Sequence, residues 1–202
     1  ISRKGSSALQ PWSERLQRVY RDPSRLDIKG LSDNDPRTGQ LVAAALVGLA
    51  RYSPEKALTG WQDYRTRLVF EPEQTQAVEY AIALQGLFAR SEAMRPWLPD
   101  VLTRLAADKL VGIRLRWALA EQDWAAFVAT LPLLSAEQRD SSTWRYWQAV
   151  ALIDAGRKEE ADVLLEELSA ERGFYSFLAA DYLKKSYVFN ARPPLIAPTP
   201  AL

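Results

Sequence analysis

The pattern that most restricts this chain is a helical period that stops at a glycine and starts again. In the run WRYWQAVALIDAGRKEEADVLLEEL, residues 144–168, Trp144, Trp147, Val150, Ala151 and Asp154 fall three or four positions apart. That spacing lines one face of an α-helix. Gly156 follows two positions later, where a helix end favours the left-handed conformation that glycine adopts without strain. Ala161, Leu164, Leu165 and Leu168 then resume the period. Two helices joined this tightly fold back on each other, so the unit reads as an αα-hairpin.

The other segments obey the same period. Residues 11–21 carry Trp12, Leu16, Val19 and Tyr20 at helical spacing, and Asp22-Pro23 ends that helix. The run 22–39, DPSRLDIKGLSDNDPRTG, is rich in turn formers and reads as a loop. Residues 40–51 are apolar nearly all round, as expected of a helix buried between two others. Ser53-Pro54 supplies an N-cap and a first-turn proline for a helix to about residue 70, with Ala57, Leu58, Trp61, Tyr64 and Leu68 inward. Glu71-Pro72 opens the next, whose Val78, Ala81, Ile82, Gln85, Leu87 and Phe88 continue it to about Arg90. Its partner, 94–107, is broken early by Pro96 and Pro99. A helix over 110–121 follows, and Asp123 caps another that carries Trp124, Phe127, Val128 and Leu131. Ser135 and Gln138 have capping-box spacing for a short turn before the hairpin. No run alternates as a strand does.

Sliding the chain by 33 residues lays Ala118-Leu119 on Ala151-Leu152, Val128 on Ala161 and Leu131 on Leu164. A period near this length is that of tetratricopeptide-like helix pairs, which bury their apolar faces by stacking on neighbours. The expected fold class is therefore all-α, an α-superhelix or solenoid of tetratricopeptide-like antiparallel hairpins. An irregular helical bundle is the alternative.

Composition narrows function mainly by what is missing. There is no cysteine and no histidine, so serine triads, cysteine proteases, zincins and facial-triad iron sites lack a required residue. No metal ligand set or cofactor is expected. Lys plus Arg is 26 against 25 for Asp plus Glu, so bulk charge draws the chain to neither nucleic acid nor an anionic membrane. No apolar run reaches the roughly 20 residues of a membrane span. The start, ISRKGSSALQPW, lacks the apolar core of a signal peptide, which points to a mature start or a fragment.

Three motifs carry a family resemblance. RLRWALAEQDWAAFVATLPLL (114–134) holds Arg-Trp-Ala-Leu at 116–119 followed by Asp123-Trp124. WRYWQAVALIDAGRKEEADVLLEEL (144–168) opens on Trp-Arg-Tyr-Trp. ERGFYSFLAADYL (171–183) holds Gly-Phe-Tyr-Ser-Phe-Leu-Ala-Ala, with Tyr187 soon after. In order and spacing these resemble the end of the superhelical, U-type domain of soluble lytic murein transglycosylases. The first 70 residues match that family only in being helical.

The resemblance implies a periplasmic protein, with outer-membrane association open, whose curved helical domain surrounds a lysozyme-like catalytic domain. The parent enzyme of such a domain cleaves between N-acetylmuramic acid and N-acetylglucosamine and leaves 1,6-anhydromuramoyl ends. Its catalytic domain uses a glutamate followed by serine, with Gly-Leu-Met-Gln downstream. Here no glutamate precedes a serine, and the only methionine, Met94, is followed by Arg95. The catalytic domain is thus expected to be absent from this chain, which reads as a fragment with no catalytic residues of its own. Residues 1–190 are expected to form the superhelical domain, and 191–202, with Pro193, Pro194, Pro198 and Pro200, a linker or tail. The implied partners are peptidoglycan glycan strands, the parent's own catalytic domain and other cell-wall proteins.

Seven tryptophans beside many carboxylates raise a sugar cleft, but a glycosidase needs two carboxylates about 5 to 9.5 Å apart, which sequence alone does not bring together. Trp117, Trp124, Trp144 and Trp147 lie on apolar helix faces and read as core. Arg114, Arg116, Arg145 and Arg172 are the candidates for substrate contact, since guanidinium groups suit carboxylates. A solvated face or a helix-helix salt bridge is the commoner fate of such arginines. Phe174, Tyr175 and Phe177 are candidates for interdomain contact, with packing of the last helix on the hairpin as the alternative. Glu159, Glu160, Glu166 and Glu167 read as exposed helix positions. A free-standing adaptor that binds a protein or peptide in its groove remains the second functional reading.

Overall fold

A computed structural model describes residues 10–189, and the proline-rich segment 191–202 lies outside them. The described residues form α-helices and one-turn 3-10 helices with no strand. They divide into two compact units, one ending at Ala120 and the other beginning at Glu121. Both are built from helices that pack on their sequence neighbours, the all-α hairpin class expected from the periodicity.

The first unit holds α1 (Gln10–Arg21), α2 (Pro36–Ala50), α3 (Pro54–Arg67), α4 (Pro72–Ala89), α5 (Leu98–Leu105) and, apart from its last residue, α6 (Asp108–Glu121). Helix α2 packs against α1, α3 and α4. Its all-round apolar composition follows from that position, with Leu41, Val42, Ala45, Leu46 and Ala50 all buried. The helix begins at Pro36 rather than at residue 40, so the loop expected over 22–39 is too long by four residues. The Asp35 carboxylate accepts the Arg37 N–H at 2.9 Å and proline occupies the first turn, the same start signal that Ser53-Pro54 displays. Gly39 is therefore helical. A Cβ there would lie 2.1 Å from the Val69 carbonyl oxygen, so only glycine admits that backbone.

Within α4, Phe88 is 61% exposed; it lies ten residues beyond Val78, roughly 280° around the helix, off the face that buries Val78 and Ile82. Ser53 is the N-cap residue of α3, but its hydroxyl makes no capping bond. The prolines at 96 and 99 do break the next segment, into a single turn at Glu92–Met94 and then α5.

The second unit holds α7 (Trp124–Thr130), α8 (Ala136–Arg139), α9 (Ser142–Asp154), α10 (Lys158–Ser169) and α11 (Phe174–Tyr182). The side chains of Asp123 and Ser135 cap α7 and α8, accepting the N–H of Ala126 and of Gln138. Gly156 has φ +74°. The Arg157 N–H bonds back to the Leu152 carbonyl at 2.8 Å, the glycine-terminated closure that the sequence predicts. Ala149, Ala161, Leu165, Leu168 and Ala179 form the core that binds α9, α10 and α11.

Candidate functional site

Helix α6 carries two of the candidate arginines. Arg114 is buried, with its guanidinium 4.9 Å from the centre of the Trp117 ring, and Arg95 lies 4.6 Å from the same ring. A cation over an indole face is held by the ring quadrupole, most firmly where water is excluded. Arg114 is thus part of the packing around Trp117. Arg116 is exposed and returns one N–H to the Gly112 carbonyl at 3.0 Å.

The other two belong to the second unit. Arg145, on α9, is engaged by Glu171 at 2.5 Å, tying α9 to the turn before α11. Arg172 stands next to Glu171 on that turn, exposed and with no ion-pair partner among the described residues. It is a solvated cation beside an aromatic row. Phe174 is 71% exposed and meets Tyr175 at 5.2 Å; Tyr175 meets Tyr146 at 5.4 Å, and Tyr146 meets Trp147 at 5.6 Å. Phe177 instead meets Tyr187 at 5.0 Å and Phe189 at 5.7 Å. Burial, then the neighbouring Tyr175, pushes the Tyr146 phenol above its ordinary pKa. The hydrogen bond that Tyr187 donates to Asp181 at 2.6 Å does the same for Tyr187. Both phenols stay protonated at neutral pH.

Of the four tryptophans read as core, Trp117 and Trp144 are buried, while Trp124 and Trp147 are half-exposed. The sequence missed a cleft of about 760 Å³ in the second unit, between α7 and the α9–α10 hairpin. Val128 and Val163, each 59% exposed, are on its walls, with Arg139 and the Arg157–Glu160 pair at its rim. The sequence places Val128 on the same helix as Phe127, α7. It follows Phe127 by one position and so points about 100° away from the residue that is buried. An apolar β-branched residue out of step with the buried stripe is the signal that marks such a wall.

Among the described residues, no group of three or more His, Cys, Asp or Glu side chains is placed to hold a metal ion. Among the same residues, no helix is long and apolar enough to cross a membrane.

No family model matches the chain. Individual relatives do. The soluble lytic murein transglycosylase of Salmonella typhimurium is 32% identical over 155 residues, 76% of this chain and 24% of the relative. The putative soluble lytic murein transglycosylase of Haemophilus influenzae is 31% identical over 171 residues, 84% of this chain and 26% of the relative. This chain is homologous to a segment of the soluble lytic murein transglycosylases. It spans about a quarter of the length of these transglycosylases. The solved structure of an inactive mutant of the lytic transglycosylase Slt from Pseudomonas aeruginosa matches with a TM-score of 0.75 at 28% identity, over 90% of this chain and 30% of that one. The match to the transglycosylase fold favours the solenoid class of helix hairpins over an irregular bundle.

Proposed function

We propose that this chain is a non-catalytic, superhelical part of a periplasmic lytic transglycosylase, and that it helps hold peptidoglycan glycan strands and enclose the catalytic domain. The observation that carries this reading is the agreement of sequence and fold with soluble lytic murein transglycosylases across three quarters or more of the chain. In this reading residues 1–190 are the helical domain and 191–202 its linker. The parent cleaves the bond between N-acetylmuramic acid and N-acetylglucosamine to give 1,6-anhydromuramoyl ends. Arg116 and Arg172 contact the anionic peptide stems through their exposed guanidinium groups, whereas Arg114 and Arg145 act by holding Trp117 and Glu171 in place. Phe174, Tyr175 and Phe177 are the contacts for a neighbouring domain, and Phe174 is the most exposed of the three rings.

The test is a pull-down of the chain on insoluble peptidoglycan beside an assay for anhydromuropeptides. Retention without turnover is expected, and Arg172→Ala and Arg116→Ala should each reduce it. Turnover by the pure chain would overturn the reading. The apolar cleft of the second unit favours one alternative, an adaptor that takes a peptide there. Loss of peptidoglycan retention in the wild-type chain would shift the weight to that alternative.

A further inference from the structure

The seven tryptophans are not alike in what surrounds them. Arg37 lies over Trp12, Arg65 over Trp61 and Arg95 over Trp117. Phe127 meets both Trp124 and Trp144, and Tyr146 meets Trp147. Among the described residues, Trp97 alone has neither a ring nor a guanidinium partner, and no hydrogen bond engages its indole N–H. It is half-buried against the core of the first unit and forms one wall of a cleft of about 410 Å³. Buried Leu58 and Met94 line the cleft beside it.

The facing wall is α3. Glu55, Leu58, Thr59 and Gln62 are three or four apart, so they share one helix face and reach the cleft together. One oxygen of Glu55 accepts the Ser91 hydroxyl at 2.6 Å. The Gln62 amide and the Asp100 carboxylate have no protein partner among the described residues. No lysine or arginine lines this cleft.

We propose that this cleft is a subsite for an uncharged N-acetylhexosamine unit of a glycan. The apolar C–H face of the sugar lies on Trp97, its hydroxyls donate to Asp100 and to the free oxygen of Glu55, and Gln62 pairs with the acetamide. An indole with an open face offers area to such a ring. Carboxylates are acceptors only, so they suit a ligand rich in O–H donors. Two carboxylates with no cation beside them repel an anionic ligand. The subsite therefore takes the uncharged sugar of an alternating glycan and rejects the one that bears a carboxylate. This rests on the reading of the chain as a glycan-holding module.

The experiment titrates the whole chain with the soluble N-acetylglucosamine tetramer and follows the seven tryptophan indole N–H signals by NMR. The signal that disappears in Trp97→Phe is expected to move. Gln62→Ala and Asp100→Ala, at exposed positions, should each weaken binding about tenfold, the size of one lost polar contact to a charged or amide group. These two variants keep the test valid if Trp97→Phe fails to fold. Movement of another indole, or equal binding by Gln62→Ala and Asp100→Ala, overturns the subsite and leaves the glycan-holding reading intact. So does retention on peptidoglycan with no binding of the tetramer. Tighter binding of a cationic glucosamine oligomer than of the acetylated one overturns the uncharged-sugar assignment. Absence of both tetramer binding and peptidoglycan retention overturns the subsite and the glycan-holding reading together.

Discussion

The two units bury different things. In the first, the interior holds large side chains, among them Trp61, Ile82, Leu87 and Met94, and a buried carboxylate. That carboxylate, Glu79, accepts the Trp61 indole N–H at 3.3 Å and the Arg104 guanidinium at 2.9 Å. Helices there meet through glycines: a Cβ on Gly86 would lie 2.6 Å from the Met94 sulfur. In the second unit, three of the five core residues joining α9, α10 and α11 are alanines. Small residues let helices approach closely but bury little area. The unit's aromatic mass stays partly outside, at Phe174, Tyr187 and Phe189. The interior of the first unit is thus filled by large side chains, whereas the core that joins α9, α10 and α11 in the second is built largely on alanines.

Substitutions in the two interiors should differ in cost. Trp61→Ala should cost about 3–5 kcal/mol, as large-to-small changes in a filled core do, and it also strips Glu79 of a donor. Urea denaturation measures it, and a loss under about 2 kcal/mol would mean that the first interior is as forgiving as the second. Leu165→Ala is the matching change in the second core. Its alanine neighbours at 149, 161 and 179 leave the helices freer to close on the void, so the cost should fall near the low end, about 2–3 kcal/mol. A Leu165→Ala loss larger than that of Trp61→Ala would reverse the comparison. Asp123→Ala removes the cap that binds the Ala126 N–H at 3.0 Å and should cost about 1 kcal/mol. Phe174→Ala should alter stability by less than about 0.5 kcal/mol because the ring is mostly in solvent. A larger thermal shift would make Phe174 a packing residue and not a surface contact.

What the sequence revealed follows the range of the interactions concerned. Hairpin closure at Gly156, the caps at Asp123 and Ser135 and the inward stripe of α3 depend on residues within a few positions, and each is found where its spacing places it. The start of α2 was equally local, since Asp35-Pro36 carries the same signal as Ser53-Pro54, but Gly39 beside it argued for a loop. Only the approach of the Val69 carbonyl, 30 residues on, explains that glycine. The candidate site divides in the same way. Arg114 stacks on a ring one turn away, whereas the engagement of Arg145 by Glu171 spans 26 residues. That Trp97 lines a cleft is visible only once α3 is placed opposite it.

The smallest effect tests whether the rim of the second cleft is rigid. Arg157 and Glu160 lie at its edge, hydrogen-bonded through Nε at 2.6 Å and joined again through the second carboxylate oxygen at 2.5 Å. The hydrogen bond from Arg157, reinforced by its charge, holds the Glu160 carboxyl below its ordinary pKa of 4.5. A carboxyl whose folded pKa is depressed binds protons less readily when folded than when unfolded. Its contribution to stability is therefore present in full above the unfolded value and is lost as pH falls through the folded one. Both side chains are well exposed, so water and salt screen the pair and the effect is slight. Stability measured from pH 6 down to pH 3 in wild type and Glu160→Gln should converge at the acid end, with the small difference at pH 6 shrinking as salt is added. A difference that persists at pH 3 would show that Glu160 acts through packing at the cleft and not through its charge.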